Sequence, residues 1–333
     1  MTENTPRLGF LGVGWIGRQR MEALARAGAG RVAVVCDADC AAARAAADGV
    51  GCGRVCASLE ELLDAELDGV VIATPTALHA EHARLALERN LPVFTQKPLA
   101  RTESECVGLT QLARRADVAL GVDMSYRHVA AVGAALDRLH AGAIGTPHAA
   151  ELVFHNAYGP DKAWARDARL AGGGALIDLG PHLIDLARLF LGRLDFRAVH
   201  ADLFAAGERV DGDPAVVEDQ AFAHVTLADG RVVRIACSWW LPAGTDAVIE
   251  ATFLGEGRAL RIRNVAGSFY DFEALLMHGR SCKQIAGPPD EWGPRALIDW
   301  ARRLADGGRY DPEVEQLLDV ARLIDAIYGR EER

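Results

Sequence analysis

Apolar positions along this chain change rhythm about a third of the way in. Residues 7–11 form a short apolar run that leads into a glycine-rich turn, residues 19–26 carry helical periodicity, and residues 31–36 are a β-branched run. The unit repeats: 41–47 is rich in strong helix formers, 70–73 is a buried type of strand, 80–89 a helix, 92–95 a strand, 103–116 a helix and 119–122 a short strand. Strands that alternate with helices predict a doubly wound parallel sheet with helices on both faces, because each crossover must pass over a face. This α/β domain is expected to span residues 1–121.

The rhythm of 122–333 differs. Two helices are predicted at 129–140 and 177–190. From residue 197 onward come strand-like runs joined by turn signals: RAVHADLF, QAFAHVTL, the turn Asp229-Gly230, VVRIACSWW, VIEATFLG and ALRIRNV. Consecutive runs of this kind predict a large, mostly antiparallel open sheet. Helices at 292–304 and 314–328 complete an α+β domain. No internal repeat and no low-complexity linker separates the halves, so the active site is expected between the two domains.

Composition narrows the function classes. The net charge is -10 with no Lys/Arg cluster, which argues against nucleic acid as partner, since phosphate binding needs concentrated positive charge. The N-terminal MTENTPR lacks the basic and apolar segments of an export signal, and no apolar run is long enough for a membrane span, so a cytoplasmic protein is expected. Seven cysteines include no two-residue spacing. Cys36 with Cys40 and Cys52 with Cys56 are four apart, but no further ligand completes a set, so reduced thiols and no metal site are expected.

Residues 12–17, Gly12-Val13-Gly14-Trp15-Ile16-Gly17, match G-x-G-x-x-G directly after a strand and at the opening of a helix. Gly12 permits the tight turn, Gly14 lets the backbone approach a pyrophosphate, and Gly17 lets the helix pack closely on the strand. The helix N-terminus then offers free N–H groups to the phosphates. This is the Rossmann signature. Asp37 closes the second strand, where an acid accepts hydrogen bonds from the ribose hydroxyls and repels a 2′-phosphate. Ala38 and Asp39 follow without an Arg or Lys, so NAD is expected rather than NADP.

A second informative segment runs over residues 172–185. Asp178 and His182 are four apart and share one face of a helix. Oxidation of an alcohol needs a group that takes the hydroxyl proton, and histidine suits that role, with Asp178 to orient it or to bind substrate. Pro181 is expected to kink or interrupt the helix. Lys97 follows a strand at its carboxyl end, where ligands of doubly wound sheets sit, with Pro98 fixing the turn.

Over essentially its whole length the chain resembles the Gfo/Idh/MocA family, that of glucose-fructose oxidoreductase and inositol dehydrogenase. The matching pieces are the glycine loop, Ala73-Thr74-Pro75 with His79 downstream, Gln96-Lys97-Pro98, and the 172–185 segment. The resemblance implies Lys97, Asp178 and His182 as the catalytic and substrate-binding constellation, His182 as proton acceptor, and a cis peptide before Pro98. It adds Thr74, Pro75, His79, Gln96 and Lys97 to the dinucleotide-binding residues, together with Trp15 and Ile16 of the loop. Trp164 and Arg166 are expected at the nicotinamide end, and Arg127, His155 and Tyr158 at the substrate. Gln96 stands where the family usually has Glu.

Trp239 and Trp240 are adjacent on a strand, so at most one can line a pocket. The resemblance also implies a homodimer or homotetramer paired through the open sheet. The function expected is NAD(H)-dependent oxidation or reduction at a ring carbon of a sugar, an amino sugar (aminoglycosides and antibiotic sugars among them) or a cyclitol. Two other readings are an NAD-retaining glycosidase that oxidises its sugar transiently, and a non-catalytic NAD-binding sensor.

Overall fold

Residues 5–210 and 216–330 are described by the computed structural model, in which the chain divides into two compact units. The first comprises Met1–Asp123 with Pro294–Glu315, the second Met124–Gly293 with Gln316–Arg333. Residues 1–4 of the stretch read for an export signal lie outside the described range.

The first unit alternates β1 (Arg7–Leu11), α1 (Trp15–Arg26), β2 (Arg31–Cys36), α2 (Cys40–Gly49), β3 (Val55–Cys56), α3 (Leu59–Leu63), β4 (Gly69–Ile72), α4 (Thr76–Leu87), β5 (Val93–Thr95), α5 (Glu103–Ala116) and β6 (Leu120–Val122). The six strands are parallel, in the order β3-β2-β1-β4-β5-β6. All four residues of β4 are buried, as a strand covered on both faces requires. Strand order reverses beside β1, so the loops leaving β1, β4, β5 and β6 share the carboxyl edge where doubly wound sheets bind ligands. The two-residue β3 and the single-turn α3 escape sequence reading because neither is long enough to show a period.

The second unit begins with a 3₁₀ turn (Ser125–His128), followed by α6 (Ala130–His140), β7 (Ala149–Asn156), the short α7 (Ala168–Ala171) and α8 (Ala175–Leu191). Eight further strands follow: β8 (Phe196–Ala205), β9 (Glu208–Arg209), β10 (Gln220–Leu227), β11 (Val232–Ser238), β12 (Ala247–Leu254), β13 (Arg258–Asn264), β14 (Phe272–His278) and β15 (Ser281–Ala286). The nine-stranded sheet has the order β15-β14-β13-β12-β7-β11-β10-β8-β9 and is antiparallel except where β11 meets β7. Alternation is clean along β10: Ala221, Ala223, Val225 and Leu227 are buried, while Phe222 and His224 are exposed on the opposite face.

α8 is buried over most of its circumference, the pattern of a central helix. It runs unbroken through Pro181, where a kink or fresh start is expected from sequence. The residue before the proline is Gly180, which has no Cβ to clash with the pyrrolidine ring, and packing on all sides holds the turn.

Two helices close the chain, α9 (Arg295–Ala305) and α10 (Gln316–Tyr328). The expected assignment of all of 122–333 to one domain needs correcting, because Pro294–Glu315 packs in the first unit. The apolar stripe of α9, with Ala296, Leu297, Trp300 and Ala301, joins the core formed by Leu8, Phe10, Val71 and Phe94. The Trp300 ring lies 5.6 Å from that of Phe94. Gly69 and Gly121 make the space: a Cβ on either would come within 2.9 and 2.7 Å of the indole.

Candidate active site

In the first unit, Gly12 adopts φ +88°, and a Cβ there would lie 2.6 Å from the Ala73 carbonyl. A Cβ on Gly17 would lie 2.2 Å from the Gly12 oxygen, so the glycine is what lets α1 start this close to the loop. α1 has no side-chain N-cap and no acid in its first turn. Its leading N–H groups and positive dipole end therefore suit a pyrophosphate, and the cradle fits a dinucleotide. Trp15 is exposed at the helix start and Ile16 half-buried behind it.

Asp37 follows β2. Its Oδ2 accepts the Val13 N–H of the glycine loop at 2.7 Å and its Oδ1 the Asp39 N–H at 2.9 Å. The carboxylate is thereby fixed against the loop with lone pairs remaining for ribose hydroxyls. Asp39 is engaged otherwise, capping α2 through Ala41 and Ala42 N–H.

Thr74 and Pro75 lead into α4, and Pro75 is its N-cap residue. His79, expected among the dinucleotide contacts, is buried. Its Nδ1 lies 2.8 Å from the Pro98 carbonyl and its Nε2 2.8 Å from the Thr74 carbonyl. Burial pushes its pKa down. His79 therefore ties the loop after β4 to the turn after β5.

The Lys97–Pro98 peptide is cis, as the resemblance implies. Just before it, Gln96 donates from Nε2 to Asp123 Oδ2 at 2.7 Å, and Arg20 Nε donates to the same oxygen at 2.7 Å. Gln96 thus sits in a buried polar cluster of three elements, which sequence reading missed.

In the second unit α8 carries both Asp178 and His182. Asp178 Oδ2 accepts a hydrogen bond from the Trp239 indole at 3.2 Å. His182 lies against Tyr126, ring centroids 4.4 Å apart, and burial holds the Tyr126 phenol well above its ordinary range. The start of α8 is clamped by Glu218. Its Oε2 accepts Gly174 N–H, its Oε1 accepts Leu176 N–H, both at 2.9 Å, and Tyr328 OH donates to Oε1 at 2.8 Å. A Cβ on Gly174 would lie 1.8 Å from the Glu218 carbonyl, so only glycine allows this approach.

The remaining expected residues are placed as follows. Arg127 makes a two-point ion pair with Asp185 of α8, at 2.6 and 2.5 Å, which fastens the 3₁₀ turn to the helix. His155 Nδ1 lies 2.6 Å from Ser238 Oγ across β7 and β11, and burial pushes its pKa down. Tyr158 is exposed beside Phe269. Trp164 and Arg166 fall in a 3₁₀ turn, with the Arg166 guanidinium 5.8 Å above the Trp240 ring. Trp239 and Trp240, expected on a strand, lie instead in a bend just past the end of β11: Trp239 is 2 % exposed, Trp240 is 47 % exposed at φ +55°, and their rings meet edge-on with centroids 5.8 Å apart.

Among the described residues no group of three or more His, Cys, Asp or Glu is placed to hold a metal ion, and no helix is long and apolar enough to cross a membrane.

A family model described as oxidoreductase family, NAD-binding Rossmann fold, matches residues 7–124, and one described as GFO/IDH/MocA C-terminal domain matches 132–261. The chain is 32% identical to 1,5-anhydro-D-fructose reductase of Ensifer adhaerens over 231 residues, 68% of each chain. A solved levoglucosan dehydrogenase in complex with NADH and L-sorbose superposes with a TM-score of 0.82 at 23% identity, covering 98% of this chain and 96% of that one. The 3-ketoreductase KijD10 of Actinomadura kijaniata, in complex with NADP and TDP-benzene, superposes with a TM-score of 0.85 at 22% identity, covering 98% and 97%.

Proposed function

Because the chain belongs to the Gfo/Idh/MocA oxidoreductase family, with an NAD-binding Rossmann domain, we propose that it moves a hydride between NAD and a ring hydroxyl or ketone of a sugar, amino sugar or cyclitol. The carrying observation is α8, which sets Asp178 and His182 one turn apart with the carboxylate oriented by Trp239 and the helix start clamped by Glu218.

When bound, NAD supplies the hydride acceptor for the carbinol carbon. His182 takes the hydroxyl proton, Lys97 hydrogen-bonds the reacting oxygen, and Asp178 holds the imidazole or a neighbouring hydroxyl in register. Asp37 favours NAD, since its carboxylate stands where a 2′-phosphate would need a cation. The names of the relatives, a sugar-derived reductase and a levoglucosan dehydrogenase among them, support a carbohydrate substrate. The open face of the nine-stranded sheet, with Phe222 exposed, is the surface through which copies of the chain pair, giving a homodimer or homotetramer whose mass light scattering would measure.

A panel of monosaccharides, anhydrosugars, aminoglycosides and inositols, each with NAD, tests the activity by absorbance of NADH. At least one member should give stoichiometric NADH. NADH that appears only transiently, with glycoside cleavage, would replace the dehydrogenase with an NAD-retaining glycosidase, and binding of NAD without turnover of any member would favour a sensor.

A further inference from the structure

Position 96 is a glutamine, and the acid beside it comes from the next strand of the sheet. β5 and β6 pair in parallel with Thr95 opposite Val122, so the residues that follow, Gln96 and Asp123, emerge side by side at the carboxyl edge of the sheet. Their backbones continue the ladder, Gln96 N–H to Ile72 and Asp123 N–H to Thr95. Asp123 is 1 % exposed, Gln96 8 % and Arg20 5 %. One oxygen, Asp123 Oδ2, receives both the Arg20 Nε–H and the Gln96 amide at 2.7 Å.

An ionised carboxylate can only accept, so the glutamine must turn its NH₂ toward it, and a glutamate at 96 would have no proton to offer. Two carboxylates at that separation cannot both ionise next to one guanidinium in a buried place.

We propose that Asp123 is the positioning carboxylate of the Lys97–Pro98 turn, and that positions 96 and 123 together admit one acid. Arg20 anchors Asp123 to the glycine-loop helix, Gln96 fastens the turn to Asp123 on one side of Lys97, and His79 fastens the Pro98 carbonyl on the other. The backbone that offers Lys97 is thus held at both neighbours. The effect on catalysis rests on the proposed role of Lys97; the one-acid rule does not.

Four proteins test it: wild type, Gln96→Glu, Asp123→Asn and the exchange Gln96→Glu/Asp123→Asn. In the exchange, a small rotation of the new amide presents its oxygen to Arg20 and its NH₂ to the new carboxylate. Turnover is read with NAD and the sugar of the panel that forms NADH fastest, NADH affinity by tryptophan fluorescence, and stability by thermal melting. Each single variant should lose about tenfold or more in kcat and melt lower, and the exchange should recover to within about threefold in kcat with most of the melting temperature.

Additive losses in the exchange, its failure to fold, or a fully active and stable Gln96→Glu would each overturn the proposal. Lys97→Ala separates the two readings. If it retains full turnover, the catalytic role of Lys97 fails, and the melting temperatures of the four proteins still decide the one-acid rule.

Discussion

The Trp239 indole donates to Asp178 Oδ2 across 3.2 Å, so a residue just past the end of β11 orients an acid on α8 sixty-one positions earlier in the chain. A hydrogen bond to a charged group contributes about 1.5–3 kcal/mol. Trp239→Phe keeps an aromatic ring in the buried space and removes the donor. The expected result is a fall of about tenfold in kcat/KM, because the misdirected carboxylate is felt in the transition state. A lower melting temperature with unchanged kcat/KM would reduce Trp239 to packing.

Lys97→Ala and His182→Ala should each lower turnover by about a hundredfold to ten-thousandfold, the range for loss of a general acid or base, while NAD binding stays nearly intact. Near-wild-type turnover in His182→Ala would remove it as proton acceptor. Asp178→Asn should cost less if the residue orients by hydrogen bonding and more if its charge is required.

Cofactor choice should follow Asp37. Its carboxylate is held against the loop by Val13 N–H. Asp37→Ser combined with Ala38→Arg removes the negative charge and supplies a cation for a 2′-phosphate, so the ratio of kcat/KM for NAD over NADP should fall, by about tenfold or more for an interaction of this kind. Wild type using NADP at least as well as NAD would contradict the role given to Asp37.

Glu218 gives a pH dependence. Burial raises its pKa above the usual 4.5, outweighing the hydrogen bonds from Leu176, Tyr328 and Gly174 that favour its charged form. The folded state then holds the proton more tightly than the unfolded state. Its contribution is complete below the unfolded pKa and is lost as pH rises through the folded one. Glu218→Gln cannot titrate, so the melting temperature of wild type minus that of the variant should shrink from pH 4 to pH 7. A difference that grows over that interval would reverse the sign of the shift.

Thiol reactivity should divide the seven cysteines. Cys40 and Cys282 are exposed and the other five buried. Burial and the facing Cys56 push the Cys36 thiol up to about 12, and burial raises Cys237 further. A chromogenic disulfide at neutral pH should titrate two thiols quickly and the rest only on unfolding; fast reaction of five or more would mean the packing around β2 and β3 is looser than described.

Much of the first unit was legible because its information is local. A strand, three spaced glycines, a helix and an acid after the next strand lie within residues 7–37, and each contributes through its own backbone or its immediate neighbour. The placement of Asp178 and His182 about one turn apart on one helix was legible for the same reason, since their spacing is local. The resemblance assigns Arg127 to the substrate and His79 to the dinucleotide. Sequence could not say that Asp185 and two carbonyls would occupy them.

The amino-acid sequence by itself determined the doubly wound domain, the dinucleotide loop, the helix bearing Asp178 and His182 and the antiparallel character of the second sheet, because periodicity and short spacings fix each of them. Only the tertiary structure decided that Glu218 clamps α8, that Trp239 turns Asp178, that α9 joins the first core and that Gln96 answers to Asp123. Those contacts join residues far apart in the chain, from 27 positions for Gln96–Asp123 and 61 for Asp178–Trp239 to 206 for Phe94–Trp300, and no local period records them. A buried hydrogen bond between distant residues is set by which strands become neighbours and in what register, and that follows from how the whole core packs rather than from either residue's own surroundings in the sequence.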